Sequence, residues 1–163
     1  MSLLDAKEYD PRPRQRMVRL ILIAVVVVIV GIIAWFIFRY QPEKNVVEKF
    51  FKEIEAKNFE QAYGIYKADP DWKQHPDKYP EFTYNQFLLV WGPSGDYGII
   101  TSHKIDCATE PKKRGFASPS GVIVVVNINN RTDPRDNVSL WVEKKTKTIN
   151  ASPDKVLCGG STT

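Results

Sequence analysis

Cysteine and histidine are scarce in this chain of 163 residues, which contains only two of each. Cys107 and Cys158 lie far apart in the sequence. Neither they nor His75 and His103 show the short ligand spacings of a structural zinc site. The sequence therefore predicts no metal-binding site.

Motifs that carry catalysis are also lacking. Residues 91–95, WGPSG, have the glycine and proline of a turn but not the further glycines and the lysine of a nucleotide-binding loop. The sequence contains no nucleophile elbow and no spacing that pairs two carboxylates. We therefore predict no cofactor, and a small-molecule enzyme is the least favoured functional hypothesis.

The histidines offer two acid–base candidates. His103 and Asp106 lie in a predicted strand, where positions i and i+3 point to opposite faces, so their side chains meet only if a β-bulge intervenes. His103 shares its predicted face with isoleucines, and we expect it to be a half-buried structural residue. His75 lies in a loop with Asp71 and Asp77, and we expect it to be solvated.

The net charge of +4 comes mainly from the N-terminal region. Residues 1–39 contain six basic and three acidic side chains, whereas residues 40–163 contain 17 basic and 16 acidic ones. A nearly neutral domain presents no electrostatic footprint for a polyanion. Nucleic-acid binding is therefore not expected.

The segment Leu20–Phe38 is the strongest signal in the sequence. Its 19 residues, LILIAVVVVIVGIIAWFIF, carry no charge. At about 1.5 Å per residue, a helix of this length matches the hydrocarbon thickness of a bilayer. The segment is longer than a signal-peptide core, and bulky residues follow it where a cleavage site needs small ones. We predict an uncleaved single-pass anchor behind a disordered basic tail, residues 1–19.

Flanking cations predict the orientation of this anchor. Four arginines lie within eight residues on its N-terminal side, whereas Arg39 and Lys44 follow it. The positive-inside rule keeps the N-terminus in the cytoplasm and places the C-terminal domain outside it, which we interpret as a bacterial inner-membrane topology. Outside the cytoplasm Cys107 and Cys158 can form a disulfide, which ties the C-terminal tail to the sheet; two unrelated thiols are the alternative.

Residues 43–157 are predicted to form one α+β domain, and residues 158–163 a flexible C-terminus. Apolar residues recur at helical spacing up to Trp91 and alternate from Gly98 onward. Helices first and strands afterwards predict about three helices packed on one face of a curved antiparallel sheet.

Local signals refine these elements. Asn58 with Gln61, and Thr83 with Gln86, predict capping boxes at the starts of the second and third helices. The predicted strands are residues 98–107, 121–129 and 137–149. The second of them is apolar on both faces, which predicts a central, covered strand. A fourth strand is expected in residues 144–149 or in the C-terminal tail.

The opening helices, VVEKFFKEIEAKNFEQAYGIY at residues 46–66, resemble those of the NTF2-like (nuclear transport factor 2-like) superfamily. The resemblance covers residues 43–150 and rests on element order and apolar pattern. It implies a cone of helices on a strongly bent antiparallel sheet, and a cystatin-like cone with one helix is the nearest alternative. The segments WGPSGDYGIITSHKIDC and LWVEKK also resemble small membrane-anchored bacterial proteins of this type.

Aromatic residues are concentrated around the junction of the second and third helices, where the mouth of a cone is lined. Core packing explains the aromatics of the helices. It explains those of the proline-rich loop over residues 69–82 less well. The candidate binding residues are therefore Tyr66, Trp72, Tyr79, Phe82 and His103.

The favoured hypothesis is a membrane-anchored, non-catalytic binding or interaction module outside the cytoplasm. Its expected partners are membrane lipid, through the anchor, and a protein or small-molecule ligand that the sequence does not identify; a homo-oligomer is an open alternative. A structural subunit of an envelope or secretion assembly has the same topology, and an enzyme that uses the cone cavity is the third hypothesis. A closed cone filled by side chains favours the structural hypotheses, a buried polar pair that faces a cavity favours the enzyme, and a flat apolar sheet face favours an oligomer.

Overall fold

The computed structural model describes residues 12–111 and 120–158, with side chains from Met17 onward. The chain divides into two compact units, Met1–Arg39 and Tyr40–Thr163. Each unit has its own architecture, and they are described separately below.

The described part of the first unit is one helix, α1, Arg12–Phe38. It begins before the predicted anchor because the preceding arginines are good helix formers, so this part of the predicted tail is helical. Residues 1–11 of that tail lie outside the described residues. The most apolar 18-residue window has a mean hydropathy of 3.4 and is 0% buried. Among the described residues, this is one helix long and apolar enough to cross a membrane.

The second unit begins with helices. They are α2 (Gln41–Glu55), α3 (Phe59–Lys67) and α4 (Tyr84–Trp91). The predicted capping box at α4 is confirmed, since the Gln86 N–H donates to the Thr83 hydroxyl and the Thr83 N–H donates to the Gln86 side chain. The box predicted at α3 is wrong. The Asn58 side chain makes no cap hydrogen bond there and donates instead to Glu53 Oε2 at 2.9 Å.

The strands follow the helices, which confirms the α+β class. They are β1 (His103–Thr109), β2 (Gly121–Ile128), β3 (Val138–Glu143) and β4 (Ile149–Ala151). They form one antiparallel sheet in the order β1-β2-β3-β4. The sheet therefore has four strands, and the fourth begins at the end of the stretch predicted for it and runs on into the following residues.

Strand β1 begins five residues later than predicted, because the Asn129 side chain takes the place of a strand partner for the preceding segment. Its Oδ1 accepts a hydrogen bond from the Thr101 N–H, and its Nδ2 donates to the Ile99 carbonyl, each at 2.8 Å. Ile99, predicted to share a strand face with His103, is 61% exposed. The segment before β1 is thus held by one side chain rather than by a ladder.

A β-bulge at Asp106 changes which face the end of β1 presents. Ile105 and Cys107 pair with consecutive residues of β2, so Asp106 is the extra residue of the bulge. Strict alternation predicts Cys107 on the same face as His103. The bulge reverses this and places Cys107 on the opposite face.

The face of the sheet that meets the helices, the inner face, carries the main core. Helix α2 contacts β1, β2 and β3, and α3 contacts β4. The helices contribute mainly aromatic side chains to this core, and the strands contribute mainly valines. Its members include Phe50, Phe51, Tyr63, Tyr66, Phe87, Trp91, Val122, Val124, Val126 and Ile128.

The opposite, outer face is also covered. Ile123 and Val125 of β2 point to this face and are 0% exposed, so the prediction that β2 is covered on both faces is confirmed. Cys107 lies opposite Val125 on this face. The chain leaves β4 at the other edge of the sheet and ends its described part at Cys158, which is bonded to Cys107. The C-terminal strap, residues 152–158, therefore crosses the outer face.

Candidate functional site

The interior of the second unit is filled by aromatic rings. Phe50 of α2 is the centre, with ring centroids 5.1 to 6.2 Å from those of Phe51, Tyr66, Phe87 and Trp91. Edge-to-face packing of this kind is favourable beyond the burial of area alone. The space between the helices and the sheet is therefore occupied by side chains.

Trp72, a predicted binding residue, packs against this core from the loop. Its ring centroid lies 4.8 Å from that of Tyr63 and 5.0 Å from that of Tyr84. Its Nε1–H donates to the Glu60 carbonyl oxygen at 3.1 Å. Packing was expected to explain Trp72 poorly. That expectation is wrong for the buried face of its ring, but the ring remains partly exposed.

Tyr79 is held by a hydrogen-bonded carboxylate at the end of α3. Its hydroxyl donates to Asp69 Oδ2 at 2.8 Å, and Lys78 Nζ donates to the same oxygen at 2.7 Å. The Asp71 N–H donates to Asp69 Oδ1 at 3.2 Å. The hydrogen bonds from Lys78 and Tyr79 lower the pKa of the Asp69 carboxyl below its usual value. Asp69, at the start of the loop, is thus hydrogen-bonded to Lys78 and Tyr79 further along it.

Tyr66, Tyr79 and Phe82 surround the ammonium group of Lys67. Lys67 Nζ lies over all three rings, 5.7 Å from the Tyr66 centroid, 5.0 Å from that of Tyr79 and 5.2 Å from that of Phe82. Burial lowers the pKa of Lys67, and the charge of Glu81 opposes this shift. We call these three rings the Lys67 cage. The structure thus brings three of the predicted binding residues together around a cation that the sequence analysis did not single out.

His103, the remaining predicted binding residue, lies between β1 and α2. Its side chain is only 7% exposed, and its ring stacks on Phe51 with centroids 5.2 Å apart. Nδ1 lies 2.6 Å from Glu55 Oε1, and Nε2 lies 3.0 Å from Glu48 Oε2. Both ring nitrogens therefore lie within hydrogen-bond distance of a carboxylate of α2.

Glu48 is the partner whose titration this arrangement changes. Burial raises its pKa, but hydrogen bonds from His103 and Lys52, together with their charges, outweigh burial and lower the pKa overall. Only the histidine of this cluster is buried, since the Glu48 side chain is 41% exposed. The position of the cluster ties strand to helix.

The bulge at Asp106 does not create an acid–base pair with His103. Asp106 Oδ2 accepts a hydrogen bond from Asn137 Nδ2 at 2.8 Å, whereas His103 bonds to two glutamates of α2. His75 is exposed between the short 3-10 helices Trp72–Gln74 and Pro76–Lys78. The structure therefore brings neither histidine into a catalytic arrangement with the aspartates considered from the sequence.

An open groove of about 800 Å³ lies on the exposed side of α2 and α3. Apolar side chains line part of it, and both signs of charge lie around them. The lining includes Val46, Glu53, Glu60, Gln61, Ile65, Pro70, Trp72, Lys73 and Lys147. We call it the helix groove. The signal that could have located the groove is the position of Ile65 in α3, on the side opposite the buried Tyr63.

A second, more polar cleft of about 450 Å³ lies where β3 meets the strap. Asn137 and Ser139 line it. Among the described residues, three buried polar atoms in this region have no hydrogen-bond partner: Asn127 Oδ1, Asn137 Oδ1 and Ser139 Oγ. The outer face is thus covered without complete pairing of its polar groups.

The two cysteines that the sequence offered as a pair are joined. A disulfide links Cys107 to Cys158, with the Cα atoms 5.8 Å apart. It closes a loop between residues that are 51 positions apart and holds the strap at the far edge of the sheet. Cys158, placed in a flexible terminus by the domain prediction, is therefore tied down, and residues 159–163 lie outside the described part of the chain.

Within the described ranges, no group of three or more His, Cys, Asp or Glu side chains is placed to hold a metal ion. No family model, curated protein or solved structure matches the chain.

Proposed function

We propose that the chain is a single-pass membrane protein whose second unit is an NTF2-like domain outside the cytoplasm, where it binds a protein partner in the helix groove. The fold supports the assignment because helices α2 to α4 precede one antiparallel sheet and cover one of its faces. A cystatin-like cone fits less well, because it has one helix, whereas the three helices α2 to α4 precede the sheet here. The orientation rests on the flanking arginines.

One observation carries the proposed activity. The interior is filled by aromatic rings around Phe50, while the groove outside it remains open and partly apolar. A ligand that enters the interior must displace core residues, whereas a partner that lies in the groove displaces only water. The geometry therefore favours binding at the surface over chemistry in a cone.

The lining of the groove suits a protein segment. Ile65, Pro70 and Trp72 supply apolar area, and tryptophan is enriched at the centres of protein interfaces. Glu60 and Lys73, which both line the groove, form an ion pair. An apolar centre with a mixed-charge rim is typical of a protein–protein contact and not of a site for one charged small molecule.

Photocrosslinking in membranes tests this proposal. A benzoylphenylalanine replaces Gln61, which is exposed and lines the groove, or Lys104, which is exposed on β1 outside it. We expect a discrete crosslinked species from position 61 and none from position 104. Its mass distinguishes a second copy of this chain from another envelope protein.

A matched pair of charge substitutions completes the test. Ile65→Glu places a charge in the apolar part of the groove and should abolish the crosslink at position 61. Leu89→Glu, at a residue 70% exposed and outside the groove, should preserve it. Equal crosslinks from positions 61 and 104, or a crosslink that survives Ile65→Glu in folded protein, contradict the proposal.

A further inference from the structure

We propose that the Lys67 cage is a binding site for a quaternary ammonium group, which enters between Tyr66, Tyr79 and Phe82 and displaces the ammonium of Lys67. None of these three rings lines the helix groove. The site is therefore separate from the one that carries the proposed function, and either can exist without the other.

The arrangement of the rings is the first argument. Three aromatic faces converge on one point, and a cation at that point lies within 6 Å of each centroid, the range in which cation–π attraction is significant. Chance contacts between a lysine and the surface of a protein commonly involve one ring. Lys73 is an example in this chain, since it lies 6.0 Å from the Trp72 centroid.

The rings are held in place by contacts of their own. Tyr79 donates its hydroxyl hydrogen bond to Asp69, and Tyr66 is buried in the core, where burial raises the pKa of its hydroxyl to about 12. Phe82 packs on Tyr66 with ring centroids 5.4 Å apart. The cage therefore keeps its shape when Lys67 leaves.

Lys67 is a poorly matched occupant of this cage. Its ammonium has three N–H donors that need acceptors, yet within the described residues it makes no ion pair with a carboxylate at 4.0 Å or less. Burial lowers the pKa of Lys67 more than the charge of Glu81 raises it. A quaternary ammonium has no N–H to satisfy and keeps the same cation–π attraction, so it fits the cage better.

The displaced Lys67 indicates a second chemical feature of the ligand. Lys67 has a flexible four-carbon stem at the end of α3, so its ammonium can remain at the mouth of the cage and pair with an anion. The expected ligand therefore carries a quaternary ammonium next to an anionic group. A soluble betaine or choline phosphate and the headgroup of phosphatidylcholine share this chemistry.

Binding of tetramethylammonium to the full chain tests the proposal. The protein is placed in nanodiscs of phosphatidylglycerol, and binding is followed by NMR or calorimetry against sodium at equal ionic strength. We expect saturable binding of tetramethylammonium and none of sodium. Lys67→Ala removes the competing cation and should tighten binding by about fivefold or more, whereas Lys67→Arg retains a cation and should not. Lys104→Ala, at an exposed lysine of β1 outside both sites, is the control and should leave binding unchanged.

Two variants of Tyr79 separate the ring from its hydrogen bond. Tyr79→Phe and Tyr79→Leu both lose the hydroxyl that binds Asp69, but only the leucine lacks an aromatic face. We expect binding to persist in Tyr79→Phe and to weaken about fivefold or more in Tyr79→Leu. Equal weakening in the two variants overturns the cage, as does the absence of tetramethylammonium binding to folded Lys67→Ala.

The source of the ligand is decided by changing the bilayer. If the headgroup of the membrane reaches the cage, nanodiscs of phosphatidylcholine compete with tetramethylammonium. If a soluble zwitterion is the ligand, glycine betaine or choline phosphate competes equally in both kinds of nanodisc. Competition from neither class overturns the assignment of the ligand. A negative result leaves the crosslink at position 61 unaffected, so failure of the cage and failure of the groove are distinguishable.

Discussion

The inner and outer faces of the sheet are buried by different means, although the same strand, β2, contributes to both. On the inner face, valines of β2 meet aromatic rings of the helices in a continuous core. On the outer face, Ile123 and Val125 are as fully buried, but a disulfide joins the strap over them to β1. Three polar atoms near it have no hydrogen-bond partner within the described part of the chain. The inner face is buried by packing against the helices, whereas the strap over the outer face is fixed by a covalent bond.

This difference predicts where stability resides. Loss of inner-face packing should affect the whole unit, because every helix contributes to one cluster. Loss of the strap should affect the outer face first, because the helical core does not depend on it. The four predictions below test this contrast by unfolding the full chain in dodecyl maltoside with denaturant.

The largest effect is expected from Phe50→Ala on the inner face. Phe50 is 0% exposed and touches four other rings. Its removal leaves a cavity, and we expect the free energy of unfolding to fall by about 3–5 kcal/mol. A loss below about 1 kcal/mol contradicts a packed interior and restores the hypothesis of an open cone.

Removal of the disulfide by Cys158→Ser should have the next largest effect. The bond constrains the unfolded chain across 51 positions, so we expect a loss of about 2–4 kcal/mol. Cys107→Ser and the double variant should behave in the same way, and reducing agent should bring the wild type to the same value. An unchanged midpoint shows that the strap is held by packing and removes the contrast between the faces.

Asp69→Asn tests the hydrogen bonds that hold the loop over the helices. Its pKa is lowered in the folded state by Lys78 and Tyr79. The stabilisation is therefore complete above the unfolded pKa of about 3.9 and is lost as the pH falls through the lower, folded value. We expect Asp69→Asn to be less stable than the wild type at pH 7 and to approach it at acid pH. A constant difference between pH 7 and pH 2 contradicts this role.

The smallest effect, with the opposite sign, is expected at Ser139 of the outer face. Its hydroxyl is buried without a partner among the described residues, so Ser139→Ala should stabilise the protein by about 0.5–1 kcal/mol. Its neighbour Leu140 points to the inner face, and Leu140→Ala should cost about 2–5 kcal/mol. If Ser139→Ala instead destabilises the protein, the hydroxyl has a hydrogen-bond partner, and the polar groups of the outer face are better paired than this account assumes.

Periodicity explains how much of the fold the sequence predicts. Helical periodicity located α2, a capping box located α4, and an apolar run buried on both faces located β2. The bulge at Asp106 and the role of Asn129 depend on a partner strand, so the spacing within β1 could not show them. The capping box at Asn58 failed because Glu53, one turn earlier, competes for the same side chain.

The candidate sites were predictable to a smaller extent. Composition identified the aromatic loop, and two of its residues, Tyr79 and Phe82, converge with Tyr66 of α3. The position of Lys67 among them was not predictable, because the loop's return path depends on Asp69 and its hydrogen bonds. The helix groove likewise depends on Lys147, which is distant in sequence from the other lining residues.

Thiol labelling in spheroplasts tests the central claim, a disulfide-tied interaction domain outside the cytoplasm, most directly. The full chain is expressed in a bacterial inner membrane, and a membrane-impermeant maleimide is added before or after an impermeant reductant. The account predicts no labelling of Cys107 and Cys158 before reduction and labelling of both after it, in unbroken spheroplasts. Labelling that requires lysis contradicts the orientation, and labelling without reductant contradicts the disulfide.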